Sequence, residues 1–292
     1  MSQRQRVPAT LPATAPPTEV PSGRAAVRVG IAGFGTVGRD VARRLLDGAI
    51  PEVGLIGVTA AHLDRARENA RAFSPALAAL PLLELCERSD VVVECATAEA
   101  FPLIARAVLG AGKKLIAVSA CGVPNCPDMV ELAERHGASV VIANGALPGL
   151  DIIRCAREGR IDRVHLTSWQ RPESLAHEPY IGDRHPDLAS ASAAVQVFDG
   201  SAAQAAAAFP RHFNVAVTLS LAGVGLDRTR VTVWCDPSIK GAVHQVEVEA
   251  EDVSLKLISR NLPSANARTS RIVAPSIMAA LRNQVASLQI GS

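Results

Sequence analysis

The chain has 292 residues, 48% hydrophobic and 20% charged, the composition of a globular protein with room for one large or two medium cores. Its net charge of +2 comes from the first 26 residues, beyond which basic and acidic side chains number 27 each. A neutral body with 3% aromatics argues against a nucleic-acid partner, which needs a basic face or stacking rings. No apolar run reaches the roughly 18 to 20 residues of a membrane helix.

Residues 1–26, MSQRQRVPATLPATAPPTEVPSGRAA, are rich in Pro, Thr and Ala and carry no periodicity. They lack the apolar core of a secretory signal and read as a disordered leader. From Val27 strands and helices alternate. Val27 to Ala32 is a short apolar run ending at a glycine turn, the pattern of a buried parallel strand. Thr36 to Asp47 places Val37, Val41 and Leu45 on one helical face, and Gly48 stops it. Strands are predicted at Leu55 to Thr59, Asp90 to Cys95, Lys114 to Ser119 and Ser139 to Ala143. Helices are predicted at His62 to Phe73, Ala98 to Leu109 and Pro127 to His136. This alternation predicts an α/β fold with a Rossmann-type doubly wound parallel sheet over 27–148.

After Gly149 strands crowd together at Val164 to Gln170, Thr229 to Cys235, His244 to Ala250 and Val253 to Ile258. A second α+β domain with a mostly antiparallel sheet is expected over 149–264. The closing segment, 265–292, holds a helical pattern from Ser270 to Leu288 that would pack back on the first domain.

Gly33, Gly35 and Gly38 form G-x-G-x-x-G between a strand and an amphipathic helix, the setting that gives the motif meaning. Gly33 permits the turn, Gly35 admits a pyrophosphate, and Gly38 lets helix and strand approach. Thr36 and Val37 on the first helical turn, and Ala96 after the third strand, are the further cofactor contacts expected. The second strand ends in Thr59-Ala60-Ala61-His62, without the acid that holds an NAD ribose, and Arg65 and Arg67 follow. NAD and NADP both stay open.

Six scattered cysteines include Cys121 and Cys126, whose spacing is not that of a zinc knuckle. Reduced thiols in a cytoplasmic protein and no metal site are expected. His244 opens a strand after an Asp-Pro turn, where a histidine can shuttle a proton at working pH. Arg171 is a candidate for gripping a carboxylate. Glu94 at the third strand's end reads as a cap or a ligand contact, and Asp151 as a helix cap.

Several stretches, taken in order, resemble the L-aspartate dehydrogenase family: VVVECA (91–96), LIAVSACG (115–122), IANGALPGLD (142–151), LTSWQRPESL (166–175), VFDGSAAQAAAAFPRHFNVAVTLSLAGVGLDRTRV (197–231) and DPSIKGAVH (236–244). The glycine turn alone would not separate that family from homoserine dehydrogenase. The resemblance implies a homodimeric NAD- or NADP-dependent enzyme interconverting L-aspartate and iminoaspartate, hence oxaloacetate and ammonia. It makes His244 the catalytic residue and Asn214 a cofactor ligand, with Ala120 and Gly122 flanking the nicotinamide half. The chain departs from the family at Ala242 and His212, where Asn is common, at Asn144-Gly145-Ala146 in place of SGA, and at Arg171-Pro172 in place of Lys-Pro. Asn144, Arg171 and His212 are the substrate-binding candidates, and His212 reads equally as a helix-entry residue. The rival readings are a related dehydrogenase or imine reductase for another amino or dicarboxylic acid, and a dinucleotide-sensing protein without turnover.

Overall fold

The computed structural model describes residues 27–262 and 270–290, so the reading of the first 26 residues lies outside it. The first half runs β1 (Val27–Ala32), α1 (Thr36–Leu46), β2 (Val53–Thr59), α2 (Leu63–Phe73), α3 (Leu82–Arg88), β3 (Val91–Glu94), α4 (Phe101–Gly110) and β4 (Lys114–Ala117). A 3-10 turn (Ala120–Asn125), α5 (Met129–Arg135) and β5 (Ser139–Ile142) complete it. All five strands pair in parallel in the order β2-β1-β3-β4-β5. Both faces are covered by helices, which is why β3 is buried throughout and why such strands read as unbroken apolar runs. The chain leaves β1 in opposite directions toward β2 and β3, so a crevice opens above their carboxyl ends.

The second half runs α6 (Leu150–Arg157), β6 (Ile161–Gln170), α7 (Pro172–Leu175), α8 (Pro179–Arg184), β7 (Val195–Ser201), α9 (Ala202–Ala208), α10 (Asn214–Ala222), β8 (Thr229–Cys235), β9 (Val243–Ala250) and β10 (Ser254–Arg260). These strands form a second sheet in the order β10-β9-β6-β8-β7. It is mixed: every pair is antiparallel except β6 with β8. The long excursion through α7 to α10 gives the chain room for that parallel crossover. The last helix, α11 (Val273–Arg282), returns to the first sheet, where Ala274, Ile277, Met278 and Leu281 pack with Val41 and Leu45 of α1.

The sequence pattern missed several elements, among them α3, β7 and the short helices α7, α8 and α9. The α3 helix has only two buried residues, Leu85 and Cys86, too few for a periodic stripe. The β7 strand is interrupted by Asp199 and Gly200 and carries a bulge near Phe198. Helix α4 starts at Phe101 rather than Ala98, because the Ala100 and Phe101 amides both turn back to the Thr97 carbonyl. Helix α11 is shorter at both ends than the Ser270 to Leu288 expectation.

Among the described residues no helix is long and apolar enough to cross a membrane, and no group of three or more His, Cys, Asp or Glu could hold a metal ion. The second sheet is anchored by an aromatic cluster, Tyr180, Phe198, Phe209 and Phe213, with ring centroids 5.0 to 5.8 Å apart. Phe209 touches the other three and is fully buried. Replacing it with Ala is expected to lower the unfolding free energy by about 3–5 kcal/mol, measured by urea denaturation; a loss under about 1 kcal/mol would mean the cluster is not the packing centre.

Candidate active site

The site starts at the glycine turn. Gly33 has φ of 103°, and a Cβ there would lie 2.4 Å from the Cys95 carbonyl carbon. A Cβ on Gly38 would lie 2.0 Å from the Gly33 oxygen. Both positions therefore tolerate only glycine, the first by conformation and contact, the second by contact alone. Gly35 differs, since a Cβ there would meet nothing within 4 Å. It caps α1 without any side-chain bond, and the first turn holds no acid. Unoccupied helix amides facing open space are what a pyrophosphate needs.

A groove of about 700 Å³ runs from this turn between the ends of β2 and β3, with Leu63, Pro81, Leu82 and Leu103 as an apolar wall. Beyond Ala96 lies a second cavity of about 470 Å³. Val37, Cys95 and Ala96 line both, so the two form one path of the kind an extended dinucleotide would follow. Thr36 lines the groove.

Glu94 holds the junction together. It is completely buried, and its two carboxylate oxygens accept the Ala96 amide at 2.7 Å and the Ser119 amide at 3.1 Å. Ser119 Oγ donates to the Ala96 carbonyl at 3.1 Å. Burial raises the Glu94 pKa, opposed by the amide donors of Ser119, Ala96 and Val118. Of the two readings for this residue, the cap is the one realised. Asp151, by contrast, falls in the first turn of α6 while Gly149, at φ of 68°, occupies the cap position.

Ala120 and Gly122 do not reach the cavity. They lie in the 3-10 turn behind Ser119, buried, with Gly122 pressed on Phe101. Asn214, first residue of α10, lines the cavity and accepts the Cys121 amide on Oδ1 at 2.9 Å. Its carbonyl oxygen thereby fixes the turn, which leaves the amide nitrogen as the group able to meet a cofactor. Burial pushes the Cys121 thiol up to about 12, so it stays protonated.

His244, Asn144, Arg171 and His212 all line this one cavity. Strand alternation explains the first. In the β6–β9 ladder Ser168 lies directly opposite His244, and Gln170 follows two residues on, so all three point to the same face. His244 Nδ1 is 3.0 Å from Ser168 Oγ, and Gln170 Nε2 donates to that hydroxyl at 2.9 Å. With Gln170 holding one lone pair, Ser168 keeps a second lone pair and its hydrogen for Nδ1. Nε2 can accordingly face the cavity either as acceptor or as donor. His244 is 3% exposed, and burial pushes its pKa down to about 4.

His212 sits just before Phe213, the cap of α10. Its Nδ1 lies 2.7 Å from Glu178 Oε1, both side chains being 5% exposed. Arg171 pairs with Glu173 at 2.8 Å, while its Nε is buried without an acceptor among the described residues. Sequence reading missed Ser168, Gln170, Glu178 and Arg211. Arg211 lines the cavity, and its charge is among the causes that lower the Glu99 pKa. Only the period-2 pattern of β6 pointed to Ser168 and Gln170, and it could not name their partner strand.

Comparison with known proteins gives this arrangement its family. Residues 151–284 match the model described as aspartate dehydrogenase, C-terminal. Residues 33–143 match the homoserine dehydrogenase NAD-binding domain, the two-family ambiguity of the glycine turn made concrete. An L-aspartate dehydrogenase of Bordetella bronchiseptica is 35% identical over 93% of this chain and 100% of its own. Another, from Bradyrhizobium diazoefficiens, is 36% identical over 91% of this chain and 94% of its own. The chain belongs to the L-aspartate dehydrogenase family. It is thus an oxidoreductase using NAD or NADP. The fold agrees: the aspartate dehydrogenase of Thermotoga maritima superposes with a TM-score of 0.69 at 21% identity, over 91% of this chain and 99% of the other.

The burial of His244 has a measurable consequence. The folded protein takes up this proton near pH 4, whereas the unfolded chain takes it up near the ordinary 6.5. Protonation below 6.5 therefore favours unfolding, and stability falls as pH drops through the window from 6.5 to 4. The contribution approaches about 3 kcal/mol at the low end. Unfolding free energies measured across that window should fall more steeply for the native protein than for His244→Asn; equal slopes would show that His244 is not held neutral.

Proposed function

We propose that the chain is an L-aspartate dehydrogenase in the strict sense, interconverting L-aspartate with iminoaspartate, and so with oxaloacetate and ammonia. One observation carries the reading: a buried histidine and two guanidinium groups, Arg171 and Arg211, line the same cavity at the end of the dinucleotide path. Two cations beside the proton-transfer group suit a substrate with two carboxylates, and the Arg171 Nε–H, which has no acceptor among the described residues although the guanidinium pairs with Glu173, is placed to meet one of them.

A bound nicotinamide supplies or accepts the hydride at the substrate α-carbon. Arg171 and Arg211 hold the two carboxylates and so set which face of that carbon is presented. Asn214 would help hold the cofactor through its amide NH2. His244 moves the protons. With Nδ1–H donated to Ser168, its Nε2 takes a proton from the water that adds to the imine. The resulting imidazolium returns that proton to the departing amine. Burial makes neutral His244 a weak base, and a substrate carboxylate close by would raise its proton affinity.

The purified protein is expected to oxidise NADH or NADPH when given oxaloacetate with ammonia. His244→Ala should lower kcat by roughly 10²- to 10⁴-fold while dinucleotide affinity is kept. Arg211→Ala should act mainly on the KM for oxaloacetate. Turnover of neither cofactor in the wild type would end the proposal, and a kcat loss under about tenfold would move the proton-transfer role away from His244.

A related substrate is the second reading, favoured by Ala242, which lines the cavity where the family commonly has Asn. A panel of 2-oxo acids with ammonia decides it, because faster turnover of a monocarboxylate than of oxaloacetate would exclude the aspartate assignment.

The proposal includes a cytoplasmic homodimer. The second sheet turns one face to α6, α9 and α10, and its other face carries both tryptophans in register, Trp234 beside Trp169 beside Val243. Sedimentation equilibrium should give a dimer for the wild type and a monomer for Trp169→Glu/Trp234→Glu; a monomeric wild type would refute it.

A further inference from the structure

The dinucleotide groove has a side pocket at the end of β2. Gly35, Thr36, Ala60 and Ala61 line both the groove and this pocket of about 500 Å³. In folds of this kind the adenosine ribose lies against the residue that ends the second strand, and an acid there holds its 2′- and 3′-hydroxyls. Here the strand ends at Thr59, followed by Ala60, Ala61 and His62, and no carboxylate lines the pocket.

What lines it instead is cationic or neutral. Arg39, from α1, and His62 and Arg65, from the start of α2, approach it from two sides. Arg39 is fixed in place, with Nε donating to the Phe34 carbonyl at 3.3 Å and its guanidinium 5.3 Å from the Phe34 ring centre. Arg65 makes no ion pair among the described residues. The neighbouring acids are engaged elsewhere: Asp64 is turned away to Arg67 at 3.0 Å and stands in solvent, and Asp40 pairs with Arg44 at 2.9 Å. Asn69 adds a neutral amide, and α2 begins without a side-chain cap, so its first amides are open as well. Two guanidinium groups and an imidazole with no counter-acid match a dianion held beside a ribose.

We infer that this chain selects NADP over NAD, with Arg39, Arg65 and His62 binding the 2′-phosphate of the adenosine half. The inference rests on the dinucleotide reading of the groove and concerns its cofactor, independently of which acid is reduced. NAD would find no acceptor for its ribose hydroxyls on β2 and would leave the cationic cluster unneutralised.

Isothermal titration of the full chain with NADP⁺, NAD⁺, adenosine 2′,5′-bisphosphate and 5′-AMP tests this without any turnover. NADP⁺ is expected to bind about 10- to 100-fold tighter than NAD⁺, the two adenosine nucleotides to show the same order, and the preference to shrink as salt is raised. Arg65→Glu should remove most of the preference by weakening NADP⁺ alone, with an unchanged melting temperature of the free protein showing that the variant is folded. Arg39→Ala should act in the same direction. Equal affinities, tighter NAD⁺ binding, or an Arg65→Glu variant that weakens both dinucleotides alike would overturn the inference. Binding of neither dinucleotide would instead overturn the reading of the groove on which it rests.

Discussion

A single buried carboxylate joins the two halves of the site. Glu94 ends β3 at the point where the dinucleotide groove passes into the cavity. Its oxygens hold the Ala96 amide on one side and the Ser119 amide on the other. Without that bridge two loop amides would lie buried and unpartnered, each a loss of about 1–3 kcal/mol. The charge is tolerable in the interior because it serves several donors at once, although burial still raises its pKa. The spacing between groove and cavity is thereby fixed by hydrogen bonds within one sheet rather than by a flexible linker.

The second constraint is register. In the β6–β9 ladder a shift by one residue would turn His244 to the opposite face and put Val243 in its place. The apolar set on the inner face, Val164, Leu166, Val246 and Val248, is buried against the helices of the second sheet, so such a slip would expose a whole core face. Packing energy far from the cavity thus holds Ser168 opposite His244. The parallel β6–β8 pair extends the same logic, because it places the Asp236 amide on the Gln170 carbonyl at 2.8 Å and so fixes the end of β6.

Much of this was legible in the sequence because it is local. The five parallel strands, α1 and the glycine turn are each written in one short window, as apolar runs, a 3.6-residue stripe and three spaced glycines. What stayed hidden depends on partners distant in the chain. Ser168 and Gln170 gain meaning only from β9, 76 residues after Ser168, and Glu178 only from His212, 34 residues on. Arg211 had no signal of its own, since a cation beside a family motif looks like any solvated arginine until a cavity wall is drawn around it. Ala120 and Gly122 show the converse. The resemblance placed them at the cofactor, whereas the 3-10 turn buries them and leaves Ser119 and Asn214 on the cavity wall.

The two ends of the path then call for opposite electrostatics. At the adenosine end the cluster of Arg39, His62 and Arg65 is open to solvent, so its attraction for an anion is screened by salt and acts mainly as selection between ligands. At the other end His244 is sealed from water, and there charge matters more per ångström because little solvent intervenes. A histidine in that place is held neutral by burial, and in the proposed reaction a carboxylate brought close to it would raise its proton affinity. In the proposed reaction, substrate binding and the proton affinity of His244 would be linked through the carboxylates the substrate brings into the cavity.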